Sequence, residues 1–137
     1  MSGAKAFIDT NLLVYLYSDQ EPVKQQAVME AINQYDRAVS AQVLNEFCNV
    51  CIRKLNFKIP DVKQAVEEIR VTCEVLALDD SHVAAALDLQ EKHGYSYYDS
   101  LIIASALDGG CDCLLTEDLS DGQIIEGRLT IKNIFTF

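Results

Sequence analysis

Short apolar runs alternate along this chain with longer stretches whose apolar residues recur every three or four positions. The first run, Ala4-Lys5-Ala6-Phe7-Ile8, stops abruptly at Asp9-Thr10-Asn11 and reads as a buried strand delivering polar groups to its carboxyl end. Leu12 to Tyr17 is apolar nearly all round, a short buried helix for which Thr10 or Asn11 is the expected cap. Pro22 opens a second helix, where its missing N–H costs nothing, with Val23, Ala27, Ala31, Ile32 and Tyr35 on one face. Residues 37–40 read as a strand, and Ser40 caps a helix from Ala41 to about Leu55. On that helix Val43, Leu44, Phe47, Val50 and Cys51 share one broad arc, with Glu46 at its edge.

The alternation continues. Pro60 starts a helix with Val62, Ala65, Val66 and Ile69 inward, and residues 73–78 form a third strand. Asp79-Asp80-Ser81 supplies caps for a helix through His93, which Gly94 is placed to end. Ser96-Tyr97-Tyr98-Asp99 opens a helix whose body, residues 101–107, is apolar on every side and therefore buried on every side. Gly109-Gly110 stops it. Residues 112–116 make a fourth strand, a turn covers residues 117–122, and a last strand lies near residues 129–132. Strands alternating with helices of this length predict an α/β fold: a three-layer α/β/α sandwich on a central, mostly parallel, five-stranded sheet. No linker, repeat or low-complexity segment interrupts it, so one domain is expected over residues 1–137.

Composition narrows the class. Half of the 137 residues are hydrophobic and 23% are charged, as in ordinary globular proteins, so the core needs no disulfide staples. The formal charge of −10, from 21 acids against 11 bases, argues against broad, non-specific nucleic-acid binding. It fits a site that gathers acids around divalent cations, or a basic protein partner. Five cysteines occur, at 48, 51, 73, 111 and 113. A four-cysteine zinc site from the two close pairs is weighed against buried small hydrophobes in a reducing compartment, and the second is preferred because Cys-x-Cys is an uncommon ligand spacing. No apolar run suits a signal peptide or a membrane span, so a cytoplasmic location without membrane contact is expected.

Four acids are placed to converge. Asp9 and Asp118 each follow an apolar strand, and Glu46 and Asp99 lie in early turns of helices that start at the same sheet edge. In open α/β sheets that edge holds the ligand. Asp99 heads an apolar face, with Ile102, Ile103 and Ala106 three, four and seven residues on, where a lone carboxylate is costly. Each acid also has an ordinary reading. Ser96-x-x-Asp99 matches a capping box, Asp9 an Asx turn or cap, Asp118 a turn acid and Glu46 a solvated helix edge. If they meet, their oxygens suit Mg²⁺ or Mn²⁺, which makes water a nucleophile and offsets charge in phosphoryl transfer. Like charges would then raise one another's pKa in the metal-free site.

The motifs Phe7-Ile8-Asp9-Thr10-Asn11, Asn45-Glu46-Phe47, Tyr98-Asp99-Ser100-Leu101-Ile102 and Leu115-Thr116-Glu117-Asp118 together resemble the PIN-domain ribonucleases, in particular the VapC-like toxins of bacterial toxin–antitoxin pairs. The likeness runs over essentially the whole chain, including the tail 121–127 and Asn133-Ile134-Phe135. It implies a metal-dependent endoribonuclease using Mg²⁺ or Mn²⁺, with Asp9, Glu46, Asp99 and Asp118 as the acidic site. Thr10 or Asn11, and Thr116, would orient ligands or water. At the fourth position Glu117, Asp118 and Asp121 all stand near, and Asp118 matches best. The likeness further implies a homodimer and a small antitoxin whose basic or aromatic segment covers the site.

Arg53, Lys54, Lys58 and Lys63 form the one basic cluster, readable as RNA phosphate contacts or as cations favoured near a helix carboxyl end. Two other functions compete. In a phosphoryl-transfer domain, receiver-like or a dehalogenase-type phosphatase, Asp9 would be a covalent acceptor. The dehalogenase pattern wants a second Asp where Asn11 stands, and a receiver's acid pair and late Lys are not evident. A non-catalytic binding module would keep the acids as caps. Nucleotide sites built on glycine-rich phosphate loops are excluded, since neither motif occurs.

Overall fold

The structure, a computed structural model, describes residues 3–135. In chain order its elements are β1 (Lys5–Ile8), α1 (Thr10–Tyr17), α2 (Pro22–Ile32), β2 (Asp36–Ser40), α3 (Ala41–Arg53), α4 (Ile59–Thr72), β3 (Glu74–Leu76), α5 (Asp80–His93), α6 (Tyr97–Asp108), β4 (Cys113–Thr116), β5 (Ile124–Ile125) and β6 (Leu129–Asn133). The sheet order is β3-β2-β1-β4-β6-β5. The five expected strands are all present and mutually parallel, and β5 adds a sixth, antiparallel to β6. Two residues are too few to show a strand period. That ribbon depends on its turn, where Glu126 (φ 52°) and Gly127 (φ 67°) are both left-handed.

β1 lies between β2 and β4, which accounts for the unbroken burial of Ala6, Phe7 and Ile8. From β1 the chain steps outward through β2 to β3, then crosses back to place β4 on the other side of β1. Right-handed crossovers in opposite directions put the intervening helices on opposite faces. Accordingly α1 packs with α2 and α3, and α3 with α4, while α5 and α6 pair together. The reversal leaves a crevice at the carboxyl ends of β1 and β4, the place where such sheets bind ligands.

Local chemistry sets the helix ends. The cap of α1 is Asp9 itself rather than Thr10 or Asn11: its carboxylate accepts the Thr10 N–H at 2.7 Å from an extended backbone. Residue 9 is the last extended residue after β1, so it falls at the cap position. Ser40 caps α3 by accepting from the Val43 N–H at 3.3 Å, as expected. In α2 the anchors are Val28 and Ile32, whereas Val23, read as inward, is 71% exposed. Val23 stands in the first turn, beyond the end of the surface that α2 covers. α6 is buried from Ser100 through Ala106. The five thiols are free, and among the described residues no three His, Cys, Asp or Glu side chains stand close enough to hold a metal ion. Among the described residues no helix is long and apolar enough to cross a membrane.

Phe47 is fully buried on α3, its ring edge-on to Tyr17 (centroids 5.5 Å apart, 70° between planes), where it ties the α1 and α3 layer together. Phe47→Ala is expected to cost about 3–5 kcal/mol in urea unfolding. A loss under about 1 kcal/mol would show that this packing does not hold α3 in place.

Candidate active site

Asp9 is the fixed point of the crevice. Its N–H donates to the Leu115 carbonyl at 3.1 Å, fastening the end of β1 to β4. Its carboxylate accepts the Thr10 N–H through Oδ1 (2.7 Å) and the Thr116 hydroxyl through Oδ2 (2.9 Å), and the residue is 7% exposed. Burial pushes its pKa up to about 6, against the pull of the Thr116 and Thr10 hydrogen bonds, and the Asp118 and Asp99 charges push the same way. The Thr116 hydroxyl also accepts the Asp118 N–H at 3.1 Å, so one threonine places two of the acids.

Glu46, half-buried on α3, accepts the Thr10 hydroxyl at 2.7 Å. Its other oxygen lies 3.5 Å from the Gln42 amide nitrogen, which also donates to the Tyr98 carbonyl at 3.3 Å and so bridges α3 to α6. Asp99 makes only half of a capping box. Ser96 Oγ accepts the Asp99 N–H at 3.2 Å, but among the described residues no donor satisfies the Asp99 carboxylate. The complete box of this chain stands elsewhere, between Asp79 and His82 at the start of α5. The Asp99 carboxylate is therefore free to face the crevice.

At the fourth position the geometry separates the three neighbours. Glu117 accepts the Tyr15 hydroxyl through both oxygens (3.0 and 2.7 Å) and pairs with Lys24 at 3.3 Å. Asp121 accepts the Asn133 N–H at 2.9 Å. Asp118 alone of the three lines the crevice, and burial, then the Glu117 and Asp99 charges, raises its pKa above the usual carboxylate value.

The crevice is a pocket of about 290 Å³. Asp9, Glu46, Asp99 and Asp118 line it together with Thr10 and Asn11, and Asn49, Val50, Tyr98 and Ile102 complete its walls. Thr116 stands behind Asp9 as a fully buried support. No Lys or Arg is among the lining residues. The donor set is entirely carboxylate, hydroxyl and amide oxygen, which is the chemistry of a hard divalent cation. As they stand, no three of the acids form a ready-made cage, so closure on an ion needs side-chain rotation.

Arg53, Lys54 and Lys58 do not reach the pocket. They lie exposed at and beyond the carboxyl end of α3, with Arg53 one turn past Asn49 and Val50, and none is in an ion pair among the described residues. Gln42 and Asn49 went unread in the sequence, and Tyr98 was read only as part of the motif around Asp99. Asn49 carried a usable signal: it sits three residues after Glu46, on the same helical face.

The family model described as PIN domain matches residues 6–120. A comparison with curated proteins gives no match. Among solved structures the chain is similar to a toxin–antitoxin complex from Klebsiella pneumoniae, at 19% identity over 96% of this chain and 99% of that one, with a TM-score of 0.72. It is also similar to VapBC2 from Rickettsia felis bound to a promoter DNA fragment (18% identity, 94% and 99% coverage, TM-score 0.65). A third is VapC20 of Mycobacterium tuberculosis, a sarcin–ricin loop cleaving toxin (18% identity, 80% and 86% coverage, TM-score 0.63).

Because the folded-state pKa of Asp9 lies above its ordinary 3.8, the fold binds the proton more tightly than the unfolded chain does. The resulting stability is fully present below pH 3.8 and is lost as pH rises through about 6. Keeping Asp9 ionised above that range costs about 3 kcal/mol. Asp9→Asn, which retains a cap acceptor, should therefore stabilise the protein in EDTA at pH 8 and show no advantage at pH 4. Destabilisation at both pH values in thermal melts would contradict this.

Proposed function

The chain belongs to the PIN-domain family, and on that premise we propose that it is a divalent-cation-dependent endoribonuclease, the toxin of a toxin–antitoxin pair acting in the cytoplasm. The observation that carries the reading is the charge of the pocket: four carboxylates and no Lys or Arg line one crevice at the switch point of the sheet. An anionic phosphodiester enters such a pocket only with cations. Asp9, Glu46, Asp99 and Asp118 would hold Mg²⁺ or Mn²⁺. When bound, the ion makes water a nucleophile near neutral pH and offsets charge on the phosphodiester and leaving oxygen.

The residues divide the work. Asp9 and Glu46 are held by Thr116 and Thr10, so they supply the fixed side of the site. Asp99, half-buried with an unbonded carboxylate, and Asp118, which is exposed, supply the side that turns toward an incoming ligand. Asn11, exposed at the pocket rim, is a further water-orienting group. Arg53, Lys54 and Lys58 offer RNA phosphates the positive charge that the pocket lacks. RNA as the substrate is supported by the M. tuberculosis neighbour, a sarcin–ricin loop cleaving toxin. An antitoxin partner is supported by the neighbours solved as toxin–antitoxin assemblies, and the charge of −10 suits a basic covering segment. The assembly expected is a homodimer.

Purified protein should cleave RNA with Mg²⁺ or Mn²⁺ and lose the activity in EDTA. Asp9→Asn and Asp99→Asn are expected to fall to the metal-free background with unchanged circular dichroism. Unchanged cleavage by both variants would defeat the site assignment. Thr116→Val, which removes the hydroxyl orienting Asp9, should lower the rate about 10- to 100-fold while the fold persists.

A further inference from the structure

The lining of the pocket is not only acidic. Besides the four carboxylates, α3 and α6 also bring uncharged groups to its lining: Asn49 and Val50 from α3, Tyr98 and Ile102 from α6. Tyr98 is the only aromatic residue among the lining residues, and it is 63% exposed. Its backbone and its ring each have one neighbour. The Tyr98 carbonyl accepts from the buried Gln42 amide at 3.3 Å. Its ring rests edge-to-face on Tyr97 (centroids 5.4 Å apart, 69° between planes), and Tyr97 itself packs against the core. An aromatic ring left mostly in water buries little and stabilises the fold little, and its exposed surface is open to something that lands on it. Asn49 stands on the adjoining α3 wall, exposed, and among the described residues its carboxamide has no hydrogen-bond partner.

We propose that Tyr98 and Asn49 form a nucleobase subsite, in which an unpaired base next to the scissile phosphate stacks on the Tyr98 ring and Asn49 bonds the base's edge. The subsite rests on the nuclease reading above. Charge sets the polarity of binding. The phosphate goes to the carboxylates with its cations, and the neutral base goes to the Tyr98 ring and the Asn49 amide. A base in a duplex has both faces covered, so the ring selects a nucleotide that is unstacked or splayed out. Stacking tolerates any base, whereas the Asn49 amide, with one acceptor and two donors, supplies the choice between bases.

The test measures Mn²⁺-dependent cleavage of a short oligoribonucleotide and of versions carrying a single abasic residue at successive positions around the cut. Tyr98→Ala should raise KM about 5- to 150-fold with kcat little changed, and Tyr98→Phe should restore it. One abasic position should raise the KM of the wild type and leave that of Tyr98→Ala unchanged. Asn49→Ala should alter the base preference at that same position. Thermal melts verify that the variants fold. Cleavage with the same KM in wild type and Tyr98→Ala would overturn the subsite and leave the nuclease reading standing. No cleavage of any oligonucleotide by the wild type would remove both.

Discussion

A carboxylate removed from water needs donors or a cation, and Asp9 is removed from water by the strands on either side of it. β1 ends where the sheet order reverses, so the chain must turn there with its last side chain already inside. Two hydrogen bonds, from the Thr10 N–H and the Thr116 hydroxyl, make that tolerable but do not cancel the cost, as the upward pKa shift records. The same side chain caps α1, joins β1 to β4 through its own N–H and heads the acidic pocket. Strand end, helix start and pocket thus meet in one residue.

Around it the pocket is assembled from elements of opposite layers. α3 brings Glu46 from one face and α6 brings Asp99 from the other. Gln42 spans them, and the Thr10 hydroxyl ties Glu46 back to the end of β1. The turn after β4 is pinned on its outer side, where Tyr15 and Lys24 take up Glu117. That leaves the neighbouring Asp118 to the pocket. Glu117 remains close enough for its charge to raise the Asp118 pKa. Two adjacent acids therefore have distinct roles, one structural and one facing the crevice.

The fold was largely readable because its central strands, β1 and β4, are buried on both faces and most of its helices are long: apolar runs and helical periods report both directly. The Ser40 cap, the stop at Gly94 and the burial of residues 101–106 follow from such local chemistry. Features that depend on tertiary position were not readable. Val23 has the right residue type but lies past the edge of the covered surface. β5 exists only because a left-handed turn folds it onto β6. The capping pattern Ser96-x-x-Asp99 cannot disclose that only one of its two bonds forms. Sequence order also could not tell which of Glu117, Asp118 and Asp121 faces inward, since Tyr15, Lys24 and Asn133 decide it from far along the chain. The bond between Gln42 and Tyr98 was hidden for the same reason, since only the contact of α3 with α6 makes it.

The four acids either form a divalent-cation site or are a chance gathering of caps and turn acids. Calorimetric titration of the metal-free protein with Mn²⁺ at pH 7.5 tests that most directly. Saturable binding in the wild type that is abolished in Asp9→Asn and strongly weakened in Asp99→Asn is the predicted result. No binding at millimolar Mn²⁺, or equal binding by all three proteins, would contradict it.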